Sequence, residues 1–316
     1  MDYSSEQLRR LHPFLVIPTG LAKRELCRRS FRHFVREFWS EVPGAGKVVW
    51  NWHMDLICDE LQAVALRVAK GEPRLHDLVF NVPFGTSKSS CVSILFPDWV
   101  WTFQPEARFI TASHTDQLVA DLASKSRWVI RSEKYRAWYP DIVLRADQDA
   151  KGYYANTLGG SRLACTVGGK TPTGFHAHFL LVDDPIDPQG ARSEVELENS
   201  AKFMTEVIPS RVVDKAVAVT VLVMQRLHYR DPTSVMLDVG KREGSTPVRH
   251  ICLPGEMMDN LNPPLEELRE RYGPQVYADN LMDPLRLPLP VLRKYQATLG
   301  AYGYAGQVLQ KPTPPG

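Results

Sequence analysis

"LVFNVPFGTSKSSCVSILFPDWVW", residues 78–101, decides how this chain folds. An apolar run from Leu78 to Val82 breaks into small and turn-forming residues, meets Lys88, Ser89 and Ser90, and then resumes an apolar pattern. That is the outline of strand, loop and helix. Such a loop binds phosphate when backbone N–H groups at the helix N-terminus face the phosphate oxygens, a lysine neutralises them and a hydroxyl ligates magnesium. Lys88 and Ser89 supply the lysine and the hydroxyl. The usual pattern G-x-x-x-x-G-K-[ST] is not met, because Val82 and Ser87 hold the glycine positions while Gly85 sits between them. An ordinary strand-to-helix turn would give the same outline, so the loop alone does not decide the chemistry.

Outward from it, apolar runs alternate with helical stretches. "WNWHMDLICDELQAVALRVAKGE" places Met54, Ile57, Leu61, Ala65 and Val68 on one helical face. After the loop come a strand at 107–113, a helix at 116–131 and a hairpin in "GYYANTLGGSRLACTVGG". "HFLLVDDP" then ends an apolar strand on Asp183 and Asp184, and "KAVAVTVLVMQR" is a β-branched run suited to a strand buried on both faces. This alternation predicts an α/β fold with a mostly parallel central sheet flanked by helices. The texture changes beyond Pro247, where proline and short helices predominate. The expected division is a core at 1–246, a small C-terminal lid at 247–310, and the start of a linker at 311–316.

Composition narrows the class without naming it. With 316 residues, 44% of them hydrophobic, the chain can bury a large core. Its 38 Lys and Arg against 36 Asp and Glu give a net charge of +2, so any nucleic-acid contact must be local. The five cysteines form no C-x-x-C pair and sit in apolar stretches, which suits a reducing cytosol. Neither an export signal nor a membrane span is legible.

Two adjacent carboxylates at the C-terminal end of a buried strand can divide labour. One holds the water shell of Mg²⁺ and the other orients an attacking water. A helix cap with a solvated turn would use the same two residues. A third element, Gln225, Arg226 and His228 at the end of the following strand, can sense a γ-phosphate and pass on its loss. His176 and His178 have no third metal ligand nearby and read as structural. Lys125, Arg127 and Arg131 read as a solvated helix face.

Order and spacing together resemble the large subunit of tailed-phage and prophage DNA-packaging terminases. The resemblance runs over nearly the whole chain, from "WHMDLICDEL" through "NVPFGTSKSS", "FLLVDDPID" and "VMQRLHYRDPT" to "YGYAGQVLQKPTPPG". In that family the loop reads P-P-R-x-G-K-S; Pro83, Lys88 and Ser89 match, while Phe84, Gly85 and Ser87 depart. A Cβ at Ser87 is tolerated if its φ is negative and crowds the phosphate path if φ is positive. Replacing it by glycine is expected to cost a little stability through unfolded-state entropy.

The resemblance implies an ATP-hydrolysing P-loop fold that uses ATP and Mg²⁺. Its catalytic residues would be Lys88, Asp184 and Arg226, with Asp183 and Ser89 on the metal. Pro83, Gly85, Thr86, Ser87, Lys88, Ser89 and Ser90 would bind the phosphates, and Trp52 and His53 stand where the family's N-terminal segment meets adenine. Gln225, Arg226 and His228 match its coupling segment, with an amide in place of the usual hydroxyl. Thr173, Gly174, Phe175 and His176 occupy the place of the family's arginine finger, so Arg162 and Lys170 are the nearest cations to stand in for it. The implied partners are double-stranded DNA, a portal protein and a small terminase subunit, with the motor acting as a ring of copies on a procapsid portal in the host cytoplasm. The family's acidic nuclease cluster is not found in these residues, so nuclease activity is not expected of them. Two other readings stay open: a non-hydrolysing P-loop module kept for assembly contacts, and a helicase-like DNA translocase.

Overall fold

The computed structural model describes residues 19–169 and 174–313. Its centre is an eight-stranded sheet: β1 Asp77–Asn81, β2 Arg108–Ser113, β3 Leu144–Asp149, β4 Tyr153–Asn156, β5 Ser161–Thr166, β6 Phe179–Asp183, β7 Val219–Met224 and β8 Val248–Cys252, in the spatial order β3-β4-β5-β2-β6-β7-β1-β8. β5, β2, β6, β7, β1 and β8 pair in parallel, and at one edge β4 pairs antiparallel with both β5 and β3. The expected α/β class and the expected hairpin are both present.

Alternation explains why the central strands read as unbroken apolar runs. Leu78 and Phe80 of β1, Phe179 and Leu181 of β6 and Val221 and Val223 of β7 enter one core. Val79, Leu180, Val182, Leu222 and Met224 point to the other. The first core is closed by helices Phe31–Phe38 and Trp52–Ala69, by the helix that follows the 83–89 loop and by Leu268, Tyr277, Leu292 and Tyr304 from the C-terminal part. Leu197, Phe203 and Met236 close the second.

The division expected at 246/247 is corrected here. Val248–Cys252 pairs with β1 along its length, so the sheet of the core runs on to Cys252 before the helical C-terminal part begins. The strand was hidden because "VRHIC" carries two charged or polar residues in a half-buried edge position.

Beyond the loop, the helix opens as a π-helical turn, Ser90–Leu95, and continues as Phe96–Trp101. Pro97 accounts for the change. It has no N–H to donate to the carbonyl of Ser93, and its ring crowds that oxygen. The freed Ser93 carbonyl accepts instead from Nη2 of Arg162, at 2.6 Å. Among the described residues no helix is long and apolar enough to cross a membrane.

Candidate functional site

β1, β7 and β6 are neighbours, so the loop after β1, the carboxylates ending β6 and the polar residues after β7 emerge side by side at the C-terminal edge of the sheet. This is the edge where open α/β sheets bind ligands. Residues 90 to 96 positions apart in sequence meet there. Lys88 is only 5% exposed, and its Nζ holds both oxygens of Asp184, at 2.7 and 2.8 Å. Ser89 Oγ donates to Asp183 Oδ1 at 3.0 Å, and Ser93 Oγ donates to Asp183 Oδ2 at 2.6 Å.

The two aspartates therefore sit in different surroundings. Asp183 is buried, and burial, reinforced by the neighbouring Asp184 charge, pushes its carboxyl up to about 6 against the opposing pull of Lys88 and the two serines. Asp184 is partly exposed and takes a left-handed backbone (φ 43°), which aspartate tolerates better than most side chains. Its N–H donates to Val223 O at 2.9 Å, and its carbonyl accepts from His114 Nδ1 at 2.8 Å. The N–H of Gln225 reaches Asp184 Oδ1 at 3.4 Å.

The loop itself is shaped by two left-handed residues, Gly85 (φ 73°) and Ser87 (φ 68°). Gly85 adopts that conformation freely, whereas for a residue with a Cβ it costs about 1–2 kcal/mol. Ser87 thus meets the unfavourable condition set out above, and the expected loss of stability on glycine substitution is reversed. Relief of strain offsets the added unfolded-state entropy of ~0.5–1 kcal/mol. Ser87→Gly is expected to melt at the same temperature or up to about 2 °C higher; a clear fall in Tm would contradict the strained loop.

Beneath the loop, Thr86 Oγ1 donates to Pro83 O at 2.7 Å, and Thr86 O accepts from His53 Nε2 at 3.0 Å. His53 Nδ1 is 3.1 Å from Nδ2 of Asn51, which assigns the proton to Nε2. The imidazole is fully buried, and desolvation lowers its pKa to about 4, with Asp283 pulling up and Arg286 pushing down. A histidine held neutral binds fewer protons folded than unfolded. Its contribution to stability is complete above about 6.5 and is lost as pH falls toward 4. Unfolding free energy is expected to drop by about 2 kcal/mol from pH 7 to 4.5 on this account. His250, lowered to about 4 by burial, acts in the same direction, whereas Asp183 opposes both. The check is urea denaturation across that range: His53→Gln should show a shallower pH slope than the parent, and equal slopes would refute the assignment.

Several expected residues lie elsewhere than their sequence suggested. Trp52 is 3% exposed, its indole N–H donates to Met282 O at 3.0 Å and its ring packs on Tyr277, so no face is open to a base. His53 supports the loop from behind rather than facing a ligand. Arg162 is 1% exposed and committed to Thr111 Oγ1, Tyr154 OH and Ser93 O, which corrects its candidacy as a finger. Lys170 and Thr173 lie outside the described residues.

The guanidinium of Arg226 holds Asp231 (2.9 Å) and Ser234 (2.8 Å), while the residue's backbone N–H donates to Gln310 Oε1 at 2.9 Å. It connects β7 to the C-terminal segment and is not engaged with the loop. Gln225 Oε1 is buried without a hydrogen-bond partner. His228 accepts the Arg230 N–H within its own turn. His178 accepts the N–H of Arg108 at 3.0 Å, in the structural role expected of it. Lys125, Arg127 and Arg131 are paired with Asp121 and Asp149.

Ser93, His114 and Arg286 were not singled out from sequence. Ser93 had one usable signal, its spacing of four residues from Ser89, one helical turn further along the face that carries the hydroxyl.

No family model matches the chain, and no curated protein does. Among solved structures, the large terminase of bacteriophage HK97 aligns over 90% of this chain and 55% of its own length, at a TM-score of 0.54 and 9% sequence identity. The large terminase of the thermophilic bacteriophage D6E aligns over 78% of this chain and 51% of its own, at a TM-score of 0.39 and 14% identity. The chain spans about half the length of the solved structures it matches. What it shares with the first is the fold, a helix-flanked α/β sheet.

Proposed function

We propose that this chain is the ATP-hydrolysing motor part of a DNA-packaging terminase large subunit. One observation carries the reading: Lys88 meets Asp184 and Ser89 meets Asp183 between the ends of β1 and β6, which flank β7, on a fold shared with the HK97 large terminase. The donor set fits a magnesium triphosphate. Mg²⁺ is usually held by one or two carboxylates together with substrate phosphates and water. Asp183 and Ser89 offer a carboxylate and a hydroxyl, and among the described residues no cluster of three His, Cys, Asp or Glu would hold a metal unaided. Magnesium bound there would offset charge on the phosphate oxygens.

In this reading Lys88 exchanges Asp184 for phosphate oxygens. Asp184, so released, accepts a hydrogen bond from a water and aims its oxygen at the γ-phosphorus. The new P–O bond forms as the bond to the β–γ bridging oxygen breaks, giving ADP and phosphate and releasing the water's proton. Gln225, whose N–H meets Asp184, and Arg226, whose backbone N–H meets Gln310, would carry the change toward the C-terminal segment. Double-stranded DNA would be the translocated substrate, and a portal protein, a small terminase subunit and further copies of the chain in a ring would be partners in the host cytoplasm.

The test is phosphate release from Mg-ATP, with and without double-stranded DNA. Magnesium-dependent release that rises with DNA is expected. Release no greater than that of Lys88→Ala would favour the second reading, a non-hydrolysing assembly module, for which the left-handed Ser87 is the specific support.

A further inference from the structure

With Arg162 buried against Thr111, Tyr154 and Ser93 and Arg226 bound to Asp231, the cation that reaches the loop from elsewhere among the described residues comes from a part of the chain that sequence left unmarked. Arg286 stands three residues before helix Leu289–Gln307. Asp283, fully buried, anchors it twice, through the backbone N–H at 3.2 Å and through Nη1 at 2.7 Å. Nη2 then reaches the Val49 carbonyl, Met54 Sδ at 3.5 Å and Ser87 Oγ at 3.3 Å. The side chain is 14% exposed. A second contact holds the same segment against the loop, since the rings of Phe84 and Tyr295 meet edge to face at 4.9 Å.

We propose that Arg286 is a phosphate-binding residue of the nucleotide site, contributed by the C-terminal part of the same chain. The inference rests on the loop being that site. The Asp283 anchor fixes the orientation of the guanidinium, and the bond it makes to the loop is weaker than that anchor. At 3.3 Å, to a neutral hydroxyl, that bond is readily exchanged for a charge-assisted one to a phosphate oxygen, which runs to about 2.7–2.9 Å. One hydrogen-bond length from Ser87 Oγ, the guanidinium is already beside any phosphate the loop holds. Its planar fork suits phosphate better than an ammonium would.

A purely structural Arg286, stapling Val49 to Asp283, would affect stability and not ligand affinity. Calorimetric titration of the full chain with Mg-ATP and with Mg-tripolyphosphate, alongside thermal melts, separates the two roles. Arg286→Gln is expected to weaken both ligands by tenfold to a hundredfold, and Arg286→Lys by less, with both variants folded. Wild-type affinity in Arg286→Gln, while Lys88→Ala binds neither ligand, would overturn the inference and leave the loop assignment standing. Loss confined to ATP would place Arg286 on the base or ribose and overturn the phosphate assignment. If Arg286→Gln does not fold, Arg286→Lys decides, since it keeps a charge beside Asp283; unchanged affinity there counts against the proposal. A parent chain that binds neither ligand would sink the loop assignment itself.

Discussion

Lys88→Ala is expected to weaken Mg-ATP binding by at least a hundredfold, about 2.7 kcal/mol, and to abolish phosphate release while the chain stays folded. The size follows from the lysine's setting. At 5% exposure it is largely shielded from water, where a charge-assisted bond to phosphate is strengthened by the lower local dielectric. The fold should survive because the partner left behind, Asp184, is partly exposed and can be hydrated, and retains the Gln225 N–H at 3.4 Å. Loss of the pair is expected to cost ~1–2 kcal/mol of stability, well short of unfolding a domain this size. Calorimetry with Mg-ATP and circular dichroism on the same sample check both halves. Equal nucleotide affinity in variant and parent would show that the loop does not hold phosphate, whatever the fold.

How much of this was readable in advance depends on how local each cause is. The buried strands around "LVFNV", "FLLVDD" and "VTVLVM" and the polar residues that end them were legible, because apolar runs and their terminators are written in consecutive residues. Pairing partners were not, and β8 shows why: "VRHIC" lacks a central strand's apolar run, and its place beside β1 is settled by tertiary contacts. Arg162 failed for a related reason. Its place upstream of the two aspartates makes it a candidate finger, yet Pro97, 65 positions earlier, frees the Ser93 carbonyl that draws it into the core. The handedness of Ser87 was likewise unreadable, since φ at a loop residue is imposed by what the loop must span. Arg286 in "DPLRLPLP" gives no signal at all; only the fold brings it to Ser87.

The division of labour between the two aspartates leads to the other large effect. Asp184→Asn should lower turnover by ~10²–10⁴-fold, the range for removing a group that positions and deprotonates the attacking water. It should at the same time leave Mg-ATP affinity equal to the parent's or several-fold tighter. Asparagine tolerates the left-handed backbone better than most residues with a side chain, as aspartate does, so the variant keeps the turn. It also removes the charge that Lys88 now holds at 2.7 and 2.8 Å, which leaves the ammonium free for phosphate. Asp183→Asn acts differently. Its carboxylate is buried, with Ser89 Oγ and Ser93 Oγ both donating to it, and an amide in its place presents one oxygen and an NH₂ that has no acceptor in either serine's current orientation. That variant should lose the magnesium dependence of binding first and activity as a consequence, by a factor of ten or more in the magnesium concentration needed for half-saturation. Titrating nucleotide at several magnesium concentrations, and following a single turnover at saturation, distinguishes the two. Should both variants bind alike and fail alike, the aspartates act as one unit and the separate roles assigned to them are wrong; should Asp184→Asn turn over within threefold of the parent, the group that orients water lies elsewhere.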